Sequence, residues 1–501
     1  MLKILSAAQI RELDAYTIKY EPVSSIDLME RACQAFTNRF KVLFDQSHAV
    51  SIVCGTGNNG GDGLVIARLL HESRYTVKLI IIRGEVAESP DFSVNLSRLS
   101  AEIDLHEVKN QSDINNLEWG DIIIDGIFGS GLSREPAGIY AEVINLLNET
   151  DAFKIAIDIP SGLFADKPTT SKVIFTADLT LSFQLPKLAF LIPDHANQVG
   201  DWELLDIGLH KKYIQDAASE YYLTTIHDIK SLVSPRPNFS HKGDYGKALL
   251  LAGSKGKMGA AILAAKAAMR SGLGLLTVHV AACGYSSIQT AVPESMASTD
   301  EHDVHISRIK LELDFDAIGI GPGIGTHQDT VSVLQQVLSK YNKPVVLDAD
   351  ALNIIAAHSN TLHLIPKGSI LTPHPKEFER LAGHSDNGFE QLNKLKEFAK
   401  ACESVVVLKG SFTAIADASG KIFFNSSGNP GMATGGSGDV LTGIITALLA
   451  KGLSSLDAAR LGVYLHGLAA DIAVTELGEE ALIASDIINY LPKAWLKLYE
   501  Q

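Results

Sequence analysis

Two aspartates in this sequence stand where acid–base chemistry is commonly done. Asp158 follows the apolar run KIAI and precedes Pro160-Ser161-Gly162. That places it at a strand end, the crevice side of an α/β sheet; a carboxylate capping the following turn is the plain alternative. Asp439 closes GNPGMATGGSGD ahead of the apolar stretch VLTGIITALLA. Glycines before a helix leave free N–H groups that can surround an anion. The helix dipole keeps a first-turn carboxylate ionised, by about 0.3–1 kcal/mol, which makes it a weak base in isolation. It can still take a hydroxyl proton when that oxygen is losing electron density to phosphorus. A helix cap is the rival, but so many glycines are costly for a cap alone.

The stretch VCGTGNNGGDGLVIARLL carries Gly55, Gly57 and Gly60 at the spacing G-x-G-x-x-G, between a strand-like and a helix-like run. That is the setting of a dinucleotide-binding loop. Two features depart from it. The next strand, TVKLIIIRGE, ends in Arg83-Gly84 before Glu85, with no acidic ribose ligand at its end. Asp62 stands at the mouth of the helix, where an anion repels pyrophosphate unless a cation lies between them. The amide oxygen of Asn59 and the carboxylate of Asp125 are hard donors suited to such a cation. A tight turn whose asparagines tolerate left-handed dihedrals accounts for the same residues equally well.

In the C-terminal half, GSKGKMGA (253–260) lacks the Lys-Ser or Lys-Thr pair of a P-loop. It reads as a strand–loop–helix turn where a ligand touches backbone, as does GPGIG (321–325). Lys409 in LKGSFT ends a strand and suits a phosphate or ribose; a solvated lysine is the alternative. His374 lies between two prolines in TPHPKEF and either edges a pocket or serves the turn. Asp348 and Asp350 in LDADALN orient a metal or the following helix.

Alternating strand and helix patterns must position these groups. Strands are expected at AVSIVC, TVKLIII, DIIIDGIF and FKIAIDIP, and a helix over TIKYEPVSSIDLMERACQAF. Such alternation favours a parallel sheet covered on both faces. The loops GTGNNGGDG, GIFGSGLSRE, DIPSGL and LSFQLPK would then face one crevice. A second alternation runs from KALLLAGS to GNPGMATGGSGDVLTGIITALLAKG. The chain has 501 residues, too many for one ordinary core. The polar stretch KKYIQDAASE and the turn-rich SPRPNFSHKGDYG put the boundary between residues 210 and 240, assigned as 1–222 and 223–501. The formal net charge of −15 and the absence of basic blocks argue against nucleic acid. Four scattered cysteines argue against disulfides or zinc-binding C-x-x-C pairs, and fit a reducing cytoplasm. No signal peptide or membrane span is expected.

Together the motifs resemble a known family. CGTGNNGGDG, DGIFGSGLSRE, AIDIPSGL and FQLPKLAFLIP resemble the Rossmann-like epimerase domain of the NAD(P)H-hydrate repair enzymes. LLLAGSKGKMGAA, GIGPGIG, VLDADALN, LTPHPKEFERL, VVVLKGSFT and NPGMATGGSGDVLTGI resemble their ribokinase-like dehydratase domain, in the bifunctional order. The resemblance implies that the first domain interconverts the R and S epimers of hydrated NADH and NADPH. The second would dehydrate the S epimer with ADP (ATP in eukaryotic relatives), releasing AMP and phosphate, with Mg²⁺ accompanying the nucleotide. It further implies that Asn58, Asn59, Gly60, Gly61 and Asp62, with Gly129, Ser130, Gly131, Leu132, Ser133, Arg134 and Glu135, bind the hydrate in the epimerase. Asp158 would act on the ring, and Asn59, Asp125 and Ser161 would hold K⁺. In the dehydratase, Ala260, Gly323, His374 and Asp439 would contact the hydrate, with Asp439 as base. Lys409, Gly410, Ser411, Phe412, Thr413 and Gly438 would hold the nucleotide. A homo-oligomer is implied as well. Thr56 stands where proline is common, and Lys376 where glycine is common. The rivals are a small-molecule kinase fused to a Rossmann domain and a first domain that only binds.

Overall fold

The computed structural model describes residues 1–84, 87–114, 117–310 and 312–500; Glu85 lies outside them. The chain divides into two compact units, Leu2–Ser219 and Glu220–Gln501, with Met1 grouped with the second.

The first unit opens with helices α1 (Ala7–Tyr20) and α2 (Ser25–Leu43). The expected single helix from Thr17 onward is therefore two. Thr17 to Tyr20 close α1, Pro22 interrupts the chain, and Ser24 caps α2 by accepting from the Asp27 N–H at 3.2 Å. Seven strands follow: β1 (Val50–Cys54), β2 (Val77–Ile82), β3 (Asp104–Val108), β4 (Ile122–Gly126), β5 (Phe153–Ile157), β6 (Leu179–Phe183) and β7 (Asp201–Leu205). All pair in parallel, in the order β3-β2-β1-β4-β5-β6-β7. The order reverses between β1 and β4, the switch point outside which doubly wound sheets bind ligands. Central strands β1 and β4 are buried throughout, as continuous apolar runs require. The edge strands β3 (DLHEV) and β7 (DWELL) mix charged and apolar residues and are partly exposed, which is why a continuous apolar run does not mark them. LSF, expected in a loop, ends β6 instead.

In the second unit the strands are β8 (Tyr221–Thr224), β9 (Lys247–Leu251), β10 (Leu275–Val280), β11 (Met296–Thr299), β12 (Ala317–Ile320), β13 (Val345–Leu347), β14 (Ile370–Leu371), β15 (Val405–Leu408), β16 (Ala414–Ala416) and β17 (Ile422–Asn425). They run in the order β8-β17-β16-β15-β14-β13-β12-β9-β10-β11. The body from β11 to β15 is parallel, and β16 joins its neighbours antiparallel. Helices α3 (Met258–Arg270) and α4 (Ser437–Ala450) pack on this sheet. They cross with backbones in contact: a Cβ on Gly443 would lie 2.0 Å from the Ala264 carbonyl oxygen. Only glycine allows that approach, and it fixes where the N-terminus of α4 emerges.

Candidate functional sites

In the first unit, α5 (Asn58–Glu72) starts directly after β1, with Gly57 as its cap residue. A Cβ on Gly60 would lie 1.9 Å from the Gly55 oxygen, and one on Gly55 would lie 2.2 Å from the Ile127 oxygen. The glycines are thus where the β1 and β4 loops touch. Asn59 is buried, and its Nδ2 has no hydrogen-bond partner. It lies against Gly126 and Gly129, beside the strand end that carries Asp125. Asp125 is fully buried and accepts from Ser161 Oγ at 2.6 Å, Ser161 N at 2.8 Å and Ile127 N at 3.1 Å. Burial raises its pKa to about 6 against the pull of those donors. Ser161 Oγ in turn accepts from Phe128 N at 2.7 Å. Asp125 and Ser161 therefore form one buried oxygen cluster. The orphaned amide of Asn59, whose oxygen and nitrogen can exchange by a flip, offers a further hard donor. This set fits a cation such as K⁺.

Asp158 follows β5 with φ +65, a left-handed backbone that is uncommon for a non-glycine residue and worth weighing at a site. Its Oδ1 accepts from Phe183 N at 3.0 Å, from Ser182 Oγ at 3.3 Å and from Lys187 Nζ. Lys187 is 3% exposed and also donates to Ser182 Oγ at 2.7 Å and the Phe183 carbonyl at 3.3 Å. Asp14, from α1, is raised to about 6 by burial and by Asp158, with Lys187 pulling the other way. Asp62 is pushed well above the carboxylate range by burial, with Asp158, Asp14 and Asp91 adding to the rise. Its Oδ1 lies 3.4 Å from the buried thiol of Cys33. That rise lessens the charge with which Asp62 would repel a phosphate at the mouth of the helix. The loop Gly129–Glu135 follows β4 and is mostly exposed; Glu135 accepts from Thr170 Oγ1 at 2.8 Å.

In the second unit the site residues gather at the carboxyl ends of β9, β12, β13, β14 and β15. A Cβ on Gly323 (φ +64) would lie 2.8 Å from the Lys257 oxygen and 3.2 Å from Ala260 Cβ, so the loops after β9 and β12 touch. Asp348 follows β13, is almost fully buried, and accepts from Lys409 Nζ at 2.9 Å and Thr442 Oγ1 at 2.6 Å. Lys409 N donates to the Pro373 carbonyl at 3.0 Å, which ties the His374 loop to the end of β15. Gly438 lies beside Lys409, with 3.4 Å from its would-be Cβ to Nζ. Burial opposes the charge on Lys409, but Asp348, Glu377 and Asp439 outweigh it and raise its pKa.

Asp439 stands in the first turn of α4, after Gly436 in the left-handed conformation. Its pKa rises to about 6 through burial and the Asp348 charge, against the pull of Lys409. This corrects the expectation from the helix dipole: desolvation outweighs it, and the carboxylate becomes a stronger base. His374 caps the helix Pro375–Ala382, its Nδ1 accepting from Lys376 N at 3.1 Å and Glu377 N at 3.3 Å. The turn role is therefore filled, and Nε2 lies 3.4 Å from Glu377 Oε1. Gly410 and Thr413 bond to each other across a tight turn after Lys409.

Lys187, Asp14, Thr442 and His466 escaped the sequence reading as site residues. His466 is buried behind the start of α4, its Nε2 3.2 Å from Ser437 Oγ, and burial lowers its pKa to about 4. FQLPK carries Lys187 openly, but nothing in that string says the lysine is buried.

A doubly wound sheet with a glycine crevice at its switch point, followed by a ribokinase-like sheet with a buried base at a glycine-lined helix start, defines a two-domain enzyme acting on nucleotides. A family model described as YjeF-related protein N-terminus matches residues 25–189, and one described as NAD(P)H-hydrate dehydratase matches residues 248–493. A bifunctional NAD(P)H-hydrate repair enzyme of Moorella thermoacetica is 35% identical over 99% of this chain and 97% of its own. The namesake of Escherichia coli is 32% identical over 93% and 89%. The crystal structure of a Bacillus subtilis ADP/ATP-dependent NAD(P)H-hydrate dehydratase, co-crystallised with ATP/Mg²⁺, is 36% identical. It covers 55% of this chain and 98% of its own, with a TM-score of 0.50. The chain belongs to the family of bifunctional NAD(P)H-hydrate repair enzymes, which join an epimerase to a dehydratase.

Proposed function

We propose that residues 1–222 epimerise hydrated NAD(P)H at the Asp158 site and that residues 223–501 dehydrate the S epimer at the Asp439 site. In the first site the crevice of Asn58–Asp62 and Gly129–Glu135 receives the dinucleotide. The raised pKa of Asp62 lessens its repulsion of the phosphates. Asp158, held by Lys187, exchanges a proton with the nicotinamide ring. Asn59, Asp125 and Ser161 would hold K⁺, which supplies positive charge beside the substrate.

In the second site, Ala260, Gly323 and His374 position the hydrate. Lys409, Gly410, Ser411, Phe412, Thr413 and Gly438 position ADP or ATP, which enters with Mg²⁺. The glycine-lined start of α4 faces the phosphoryl group to be transferred. Asp439 takes the proton of the ring hydroxyl as that oxygen attacks the terminal phosphorus, and AMP leaves when ADP is the donor. The ring nitrogen's lone pair then expels phosphate, and the iminium so formed loses a proton from the adjacent ring carbon, which gives the carbon–carbon double bond of NAD(P)H. The observation that carries this reading is the Asp439 carboxylate at the glycine-lined start of α4, its pKa raised to about 6 with the partly buried Lys409 acting on it, in a chain of this family.

The test uses a mixed pool of hydrate epimers with excess ADP and follows the return of NADH absorbance. Wild type converts the whole pool. Asp158→Asn converts the S fraction promptly and then slows to the spontaneous epimerisation rate. Asp439→Asn exchanges epimers but does not dehydrate. Mixing the two variants restores full conversion, because the hydrate diffuses between separate sites. Accumulation of phosphorylated hydrate without NADH would establish a kinase and overturn the reading.

A further inference from the structure

A cluster of imidazoles lies outside both sites, in the second unit. His305 Nε2 is 3.0 Å from Asp329 Oδ2, and His327 Nδ1 is 3.4 Å from the same oxygen. One ligand atom from each of His305, His327 and Asp329 falls within a sphere where all lie within 4.8 Å of one another. The His305 ring stacks on His327 and on His302, with centroids 3.9 Å apart in each pair. Three imidazoles and one carboxylate from two chain segments thus converge at one place.

The segments are held together independently of these side chains. Thr330 Oγ1, buried next to Asp329, donates to the carbonyl of Ile306, next to His305, at 2.9 Å. Buried Asp300 gathers the preceding loop by accepting from His302 N at 2.7 Å, Ser307 N at 2.7 Å and Arg308 N at 2.8 Å. The donors are therefore preorganised by backbone.

We propose that His305, His327 and Asp329 form a binding site for a borderline divalent transition-metal ion, Zn²⁺ being the ion tested. Two imidazoles and a carboxylate are a donor set that zinc takes, with water in the fourth position. Bonds of about 2.0–2.2 Å in a tetrahedron space the donors roughly 3.3–3.5 Å apart, close to the two measured separations. The remaining edge closes by rotation of the exposed His327 ring. In doing so His327 Nδ1 gives up its 3.3 Å bond from the Asp329 N–H, a first-turn donor that water can satisfy. Mg²⁺ prefers oxygen donors and octahedral geometry, so the metal that accompanies nucleotide does not compete. The bound ion would clamp segment 302–305 to the loop 323–329. It would also act on the loop after β9, through the bond from Lys255 N to the Val304 carbonyl at 2.8 Å.

The test is calorimetric titration of the full chain, stripped with a chelator, with zinc chloride in excess Mg²⁺. One equivalent is expected to bind. His327→Gln and Asp329→Asn should each weaken binding at least tenfold, while their circular dichroism and epimer exchange stay those of wild type. Cys283 is exposed, and its N–H bonds to the Asp303 carbonyl at 3.3 Å, so its thiol is the competing ligand nearby. Cys283→Ser should bind zinc as wild type does. In a second readout, zinc should raise the melting temperature of wild type but not of Asp329→Asn. No saturable binding by wild type, unchanged binding in both ligand variants, or loss of binding in Cys283→Ser would each overturn the site and leave only an imidazole–carboxylate pair.

Discussion

Asp439→Asn is expected to abolish dehydration and to stabilise the second unit. Asp439 titrates at about 6 in the folded chain against 3.8 for an ordinary aspartate, chiefly because it is buried and faces Asp348. The folded state therefore holds this proton more tightly than the unfolded state. The sign follows from linkage: the ionised carboxylate penalises folding in full above pH 6, and the penalty fades as pH falls toward 3.8. The interval between 3.8 and about 6, at about 1.4 kcal/mol per pH unit, amounts to about 3 kcal/mol. Asparagine keeps the shape and discards the charge. A domain of this size gains roughly 2–4 °C in Tm for each kcal/mol, so a rise of roughly 6–12 °C is expected at pH 8, with little change near pH 4. Dehydration should fall by roughly 10²–10⁴-fold with general-base catalysis lost. Calorimetry of the full chain at the two pH values, beside the NADH-return assay, measures both. A Tm at pH 8 that is unchanged or lower would refute the reasoning. It would mean that the carboxylate stabilises the helix as a cap and carries no desolvation strain.

The acid limb of dehydration should lie near pH 6; Asp348→Asn should move it down and Lys409→Met should move it up, as the pH dependence of kcat/KM will show, and shifts of the same sign in both would contradict the electrostatic account. Lys187→Met leaves the largely buried Asp158 without its cation, so epimer exchange should fall while dehydration of pure S epimer is unchanged. Its unfolding free energy should drop by about 3–5 kcal/mol, measured by urea denaturation. Epimer exchange should be fastest in potassium salts and slower in sodium or magnesium, because Mg²⁺ demands a small octahedral shell; equal rates in all three would remove the cation from the first site.

What could be read from the residues in order was mostly backbone constraint. The spacing of Gly55 and Gly60 signals a close approach, and the chain indeed passes so close to itself there that a Cβ on Gly60 would lie only 1.9 Å from the Gly55 oxygen. Gly321 passes the Asp348 carbonyl at 1.8 Å by the same measure, and GPGIG is legible for that reason. Continuous apolar runs revealed the buried parallel strands, while DLHEV and DWELL, at the sheet edges, carry no such pattern. What could not be read was burial of charge. Lys187 meets Asp158 across 29 residues of chain, and Asp348 meets Thr442 across 94. No local pattern encodes either pairing, since each arises only when separate strand ends come to one side of a sheet.

The same gap bears on the pKa values of Asp439 and Asp62, which the sequence alone does not show to be raised. A helix dipole is a local property, worth about 0.3–1 kcal/mol near the first turn, and it can be inferred from glycines and an aspartate in sequence. Desolvation depends on everything packed around the group. At Asp439 that includes Asp348, brought from β13, and Lys409, brought from β15. At Asp62 it includes Asp14 from α1 and Asp158 from β5. Each carboxylate rises in pKa, but the consequences oppose each other. At Asp439 a value of about 6 leaves the carboxylate mostly ionised at neutral pH and more basic than usual, whereas at Asp62 the rise favours the neutral form. One physical effect, burial among like charges, thus acts on both carboxylates, and neither glycine loop states it in sequence.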